Sequence, residues 1–79
     1  MPKTNPITAT VDATGLNCPL PLLKAKQGLK TIAAGECLQV IATDPGSRRD
    51  FKVFAELSGN ELLSAEEVDA VYTYVIKKK

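Results

Sequence analysis

The stretch Gly15-Leu16-Asn17-Cys18-Pro19-Leu20-Pro21-Leu22 sets a cysteine directly ahead of two prolines spaced by one residue. Proline has no N–H and is tolerated in the first helical turn, where N–H groups lack an intrahelical partner. The pair therefore marks a helix start, with Pro19 at the first helical position and Pro21 at the third. Cys18 is thereby expected at a helix N-terminus. There the aligned peptide dipoles, with free N–H groups such as those of Leu20 and Leu22, favour thiolate over thiol and lower the pKa. Cys18 is the candidate reactive residue, and Pro19, Leu20 and Pro21 are expected to shape the surroundings of its sulfur.

Ahead of this stretch, Ile7, Ala9, Val11 and Ala13 alternate with Thr8, Thr10 and Asp12, the period of a half-buried strand over 7–13. Thr14 to Asn17 supplies a Gly-containing turn. Behind it, Leu22, Ala25, Leu29, Ile32 and Ala33 fall at three- and four-residue spacing between lysines, which predicts an amphipathic helix capped by Gly35. A second strand follows over 37–43, with Leu38, Val40 and Ala42 on one face and Cys37 expected with Gln39 on the more open one. Asp44-Pro45-Gly46-Ser47 reads as a turn, and Ser47 with Asp50 resembles a capping box that opens a second helix over 47–58. Its buried stripe is expected to be Phe51, Phe54, Ala55 and Ser58. Gly59-Asn60 breaks that helix. A short third strand over 61–65, a charged loop over 66–70 and a fourth strand over 71–76 complete the chain, the last two as an antiparallel hairpin.

The order βαβαββ predicts an α+β fold: a two-layer α/β sandwich in which a four-stranded mixed sheet carries two helices on one face. The first two strands are joined in parallel by a right-handed crossover. Residues 1–79 are expected to form a single domain with disordered ends over about 1–6 and 77–79.

At 79 residues the chain buries only roughly 60% of its unfolded surface, which leaves no room for a deep substrate chamber. Ten basic and nine acidic side chains give a formal charge of +1, too even for binding nucleic acid by phosphate neutralisation. No stretch approaches ~18 consecutive apolar residues and no signal peptide is visible, so the expected location is the cytoplasm, without membrane insertion. There is no histidine and there are two cysteines, which excludes a Cys–His dyad and cannot fill a structural zinc site from one chain. No metal and no cofactor are expected. If Cys18 reacts, backbone dipoles and lysine or arginine charge must activate it.

Each sharp reading has a plainer competitor. Cys18 could be a buried structural cysteine, but two prolines at a helix start favour the reactive reading. For Cys37 the balance reverses toward packing, with a resolving-thiol role as the alternative. Arg48 and Arg49 are candidate partner-docking residues against the default of solvated helix positions. The Lys77–Lys79 run reads as a soluble end, and Tyr72 and Tyr74 as sheet packing.

Gly15-Leu16 with Cys18-Pro19-Leu20-Pro21, then Gly35-Glu36 before the second strand, Asp44-Pro45, and Arg49-Asp50 in the second helix, resemble the TusA/SirA-like family of small sulfur carrier proteins. The resemblance runs from about Val11 to Lys77. It implies a two-layer sandwich and a cysteine, here Cys18, that accepts sulfane sulfur as a persulfide and passes it on. Implied partners are a cysteine desulfurase or rhodanese-like sulfur donor and a downstream sulfur-acceptor protein, serving tRNA thiolation, cofactor synthesis or sulfur metabolism. Such a carrier is a sulfurtransferase-type protein with no complete catalytic cycle of its own, and a monomer is the expected state. The competing readings are a non-catalytic regulatory or interaction module, in which Cys18 accepts no sulfur, and a thiol-redox protein using Cys18 and Cys37.

Overall fold

The computed structural model describes residues 6–79, so the disorder expected over 1–5 lies outside the described residues. Six elements follow in the expected order: β1 (Ile7–Ala13), α1 (Leu20–Leu29), β2 (Cys37–Ala42), α2 (Ser47–Ser58), β3 (Glu61–Val68) and β4 (Val71–Lys77). The strands lie in the order β1-β2-β4-β3. β1 runs parallel to β2, with Val11 opposite Val40, and the other pairings are antiparallel. This is the expected four-stranded mixed sheet with two helices.

Alternation decides which face is covered. Leu38, Val40 and Ala42 pair across with Ile76, Tyr74 and Tyr72, and all six are buried on one side of the sheet. Ala25 and Leu29 from α1 and Phe51 from α2 close the same core. Phe51 stacks on Tyr74 with ring centroids 4.4 Å apart, so the aromatic pair anchors α2 to the central strands. At Gly28 a Cβ would lie 2.7 Å from a Val11 methyl and 3.1 Å from Leu38, so α1 approaches the sheet at a distance only glycine permits.

Several boundaries differ from the sequence reading, each for a local reason. α1 begins one residue late, with Pro19 as its N-cap and Leu20 as its first residue, so Pro21 is second rather than third. It also ends at Leu29 and not near Ala33. Lys30, Thr31 and Ile32 donate to carbonyls three residues back, and the Thr31 hydroxyl bonds to Gly28 O, which tightens the chain out of the α-helix. Ile32 is still buried, but Gly35, at φ 88°, serves a later turn rather than the helix cap.

The capping box does not form. Gly46 is the N-cap of α2 and Ser47 its first residue, whose hydroxyl donates to Asp44 O at 2.7 Å. Cys37 is buried, not open: on the central strand it lies between Ile7 and Lys77, whose side chains share its face. On α2, Phe51 is buried while Phe54, Ala55 and Ser58 are half-buried. Gly59, at φ 82°, ends the helix as expected.

The segment expected as a charged loop over 66–70 is mostly strand. Glu66, Glu67 and Val68 pair with Thr73, Tyr72 and Val71, leaving Asp69 and Ala70 as a two-residue turn with positive φ at both. That geometry matches the right-handed twist of a hairpin, and the exposed edge-strand position tolerates the charges of Glu66 and Glu67. The C-terminal lysines are likewise not a loose end. Lys77 belongs to β4, Lys78 exchanges backbone hydrogen bonds with Gly35 and Glu36 and reaches Ile32 O through Nζ, and the Lys79 N–H donates to Asn60 Oδ1.

Candidate functional site

Parallel pairing of β1 and β2 carries the chain out of both strands at the same edge of the sheet, so the loops that follow them meet. The β1–α1 loop contributes Cys18, and the β2–α2 loop with the first turn of α2 contributes Asp44 to Asp50. Gly15 at φ 80° turns the first loop, and its N–H donates to Thr43 Oγ1 at 2.9 Å, fastening one loop to the other. The second loop is held from below. Ser47 Oγ spans Asp44 O and the buried Tyr74 hydroxyl, each at 2.7 Å. Gly46 lies beside the cysteine, where a Cβ would stand 3.6 Å from Cys18 Cβ and 3.0 Å from Asp44 Oδ2.

Cys18 is exposed, and it lines an open depression with Pro45, Gly46, Arg48, Arg49, Asp50 and Lys52. The arginines expected to serve docking thus share a surface with the thiol. Arg48 also has a carboxylate neighbour, Glu67 on β3, at 3.9 Å, an exposed pair of the kind that contributes little to stability. Beside this depression, the groove between α1 and α2 is lined by Leu22, Lys26, Val53, Phe54 and Leu57, and it meets the thiol site at Arg49 and Asp50. Val53 and Leu57 of its lining are exposed, as are Leu20 and Leu23 of α1.

The electrostatics of the sulfur differ from the expectation. Cys18 Sγ–H donates to Asp50 Oδ2 at 2.6 Å. That hydrogen bond, followed by desolvation and the charges of Asp50 and Asp44, raises the thiol above its ordinary pKa instead of lowering it. The helix terminus offers little to oppose this. Pro19 and Pro21 have no N–H, and the Leu20 N–H, expected free for the sulfur, donates to Asn17 O at 2.8 Å. A contacting carboxylate carries a full charge, whereas the helix end carries only about half of one. The Cys18–Pro19 peptide bond is cis.

Asp50 is the residue that the capping-box reading misplaced. A local pattern gave it a partner three residues away, and the fold gives it one 32 residues away. Its place beside Arg49 in the family-like stretch was the available signal. Cys37 takes no part: it opens β2, whereas Cys18 lies beyond the far end of that strand, about 17 Å on at ~3.3 Å per residue. Cysteines so placed cannot form a disulfide without large backbone movement. Among the described residues no group of three or more Cys, Asp or Glu side chains is arranged to hold a metal ion.

The family model described as sulfurtransferase TusA matches residues 9–78, nearly the whole fold and all of this site. The chain belongs to the TusA family of sulfur carrier proteins. It is 52% identical over 68 residues to the sulfur carrier protein TusA of Allochromatium vinosum, covering 86% of this chain and 90% of that one. Against the TusA of Pseudomonas entomophila it is 49% identical over 71 residues, covering 90% and 89%. The crystal structure of a SirA-like protein from Desulfitobacterium hafniense superposes with a TM-score of 0.78 at 30% identity, covering 89% of this chain and 96% of that one. A TusA-type sulfur carrier works between a sulfur donor and a sulfur acceptor, which accords with an exposed thiol on an open surface.

Proposed function

We propose that Cys18 is the sulfur-carrying residue, taking sulfane sulfur from a donor protein's persulfide and passing it to an acceptor protein. The Cys18 sulfur attacks the outer sulfur of the donor's R–S–SH, the donor's S–S bond breaks, and a new S–S bond forms at Cys18. The donor leaves as R–SH with the proton that Cys18 gives up, so sulfur moves without net oxidation. The observation that carries this reading is an exposed cysteine on an open depression, within reach of a second protein's active-site sulfur. Enclosure would prevent such a transfer. The basic rim of Arg48, Arg49 and Lys52, adjoining at Arg49 the groove with exposed Val53 and Leu57, suits docking on larger proteins.

The donor in this reading is a cysteine desulfurase or rhodanese-like sulfurtransferase, and the acceptor serves tRNA thiolation, cofactor synthesis or sulfur metabolism. The carrier acts as a cytoplasmic monomer that does not itself bind nucleic acid. No described helix is long and apolar enough to cross a membrane. Incubation with a cysteine desulfurase and free cysteine, followed by intact-mass measurement, is expected to show additions of about 32 Da, one per sulfur atom. Cys18→Ser should abolish them. Equal loading of that variant would move the sulfur elsewhere, and no loading of either protein would favour a regulatory or interaction module.

A further inference from the structure

The Cys18 thiol faces groups of both signs, and its hydrogen bond selects among them. Arg48, Arg49 and Lys52 of α2 line the depression, yet the sulfur is turned onto Asp50 Oδ2 of the same helix, with Asp44 of the preceding loop adding a second negative charge. No charged side chain of α1 lines the depression. Asp50 is fixed at this point by its own backbone, because its N–H donates to Gly46 O at 3.2 Å in the first turn of α2. A carboxylate can only accept a hydrogen bond, so it stabilises S–H and repels S⁻. A persulfide is a stronger acid than a thiol, so the loaded side chain brings a negative charge into the same place.

We propose that Asp50 is a positioning residue that favours the empty carrier over the loaded one: it holds Cys18 as a hydrogen-bonded thiol and disfavours the persulfide anion, so sulfur is released readily to the next thiol. The inference rests on the reading of Cys18 as the sulfur-carrying residue. In the unloading step the S–S bond of Cys18–S–SH breaks and the outer sulfur bonds to the acceptor's sulfur. The acceptor's thiol proton ends on Cys18 Sγ, where Asp50 accepts the hydrogen bond. Atoms and charge balance with no oxidant or reductant. The basic rim has the complementary part, since a persulfide displaced from Asp50 moves toward Arg48, Arg49 and Lys52.

The test compares the wild-type protein with Asp50→Asn, which keeps the shape and a hydrogen-bonding group but removes the charge. Alkylation of Cys18 by iodoacetamide, a neutral probe, is followed from pH 6 to 10, with Cys18→Ser as the blank for Cys37. Asp50→Asn should react severalfold faster at pH 7 and its profile should lie at lower pH. In the second arm both proteins are loaded with sodium tetrasulfide and challenged with increasing glutathione. Asp50→Asn is expected to keep the added mass of about 32 Da to severalfold higher glutathione. If the wild type loads and the variant shows the same profile and the same retention, the role of Asp50 is overturned. If the wild type loads no sulfur at Cys18, the sulfur-carrying reading fails instead. The wild-type profile alone guards against a variant that does not fold, because a Cys18 that ionises at or below the pH of cysteine in an unstructured peptide contradicts the proposal.

Discussion

Replacing Ser47 with alanine is expected to cost more stability than replacing Tyr74 with phenylalanine, although each removes one oxygen from the same hydrogen bond. Ser47 has one hydroxyl hydrogen, and it goes to Asp44 O, which cannot donate in return. In the Ser47–Tyr74 contact at 2.7 Å the tyrosine must therefore be the donor. Tyr74→Phe removes that donor and leaves Ser47 satisfied by Asp44, a loss of about 0.5–1.5 kcal/mol. Ser47→Ala leaves the fully buried Tyr74 hydroxyl without an acceptor, about 1–3 kcal/mol, and also removes the bond to Asp44 O, about 1 kcal/mol more. Alanine's better helix propensity returns at most about 0.5 kcal/mol. A chain of 79 residues has a total stability of about 4–12 kcal/mol, so the difference is measurable. Urea unfolding of both variants and of the double variant at pH 7 tests the assignment. The double variant should lose about 1 kcal/mol less than the two singles added together, because phenylalanine removes the orphaned hydroxyl. A Tyr74→Phe loss equal to or larger than that of Ser47→Ala would reverse the donor assignment and with it the account of how the loop beside Cys18 is held.

Gly28→Ala should destabilise the protein despite a gain of about 0.8–1 kcal/mol in helix propensity, because the new methyl meets β-branched Val11 at 2.7 Å and fully buried Leu38 at 3.1 Å and overpacking costs about 1–3 kcal/mol; a higher urea midpoint would contradict this. Burial raises the Tyr74 phenol above its ordinary 10.0, so its contribution to stability is complete below pH 10 and is lost as pH rises through the higher folded value. The loss of urea midpoint on going from pH 8 into that alkaline range should then be smaller in Tyr74→Phe than in the wild type, and equal losses would refute the burial effect. Deleting Lys78 and Lys79 removes the bonds to Gly35, Glu36, Ile32 and Asn60, with an expected loss of about 1–3 kcal/mol. Unchanged unfolding would return these residues to the status of a loose tail.

Wherever neighbours in sequence also became neighbours in space, the sequence was readable. The alternation over Ile7–Ala13, the β-branched run after Cys37 and the break at Gly59 each report a backbone preference settled within a few residues. Element order then followed from length and handedness, because a strand, a ten-residue helix and a second strand admit few arrangements. Glu66 and Glu67 misled for a definable reason. Charged residues are unfavourable in an isolated strand, and only pairing with β4 at the sheet edge makes them one. Lys77–Lys79 misled similarly, since their partners lie across the fold.

The sequence alone determined that one cysteine stands between a strand and a proline-opened helix, that it is the thiol outside the strands, and that the chain resembles a sulfur carrier. It could not determine what that thiol faces. Local pattern offered Cys18 a helix dipole and Asp50 a cap on its own helix, both short-range rules. The crossover joining β1 to β2 brought the two loops to one edge, and there a whole negative charge in contact outweighs the partial positive charge of a helix end whose two prolines lack N–H groups and whose Leu20 N–H is already bonded. Coulombic influence depends on distance through space, and the 32 residues between Cys18 and Asp50 are shortened to a hydrogen bond only by the packed sheet.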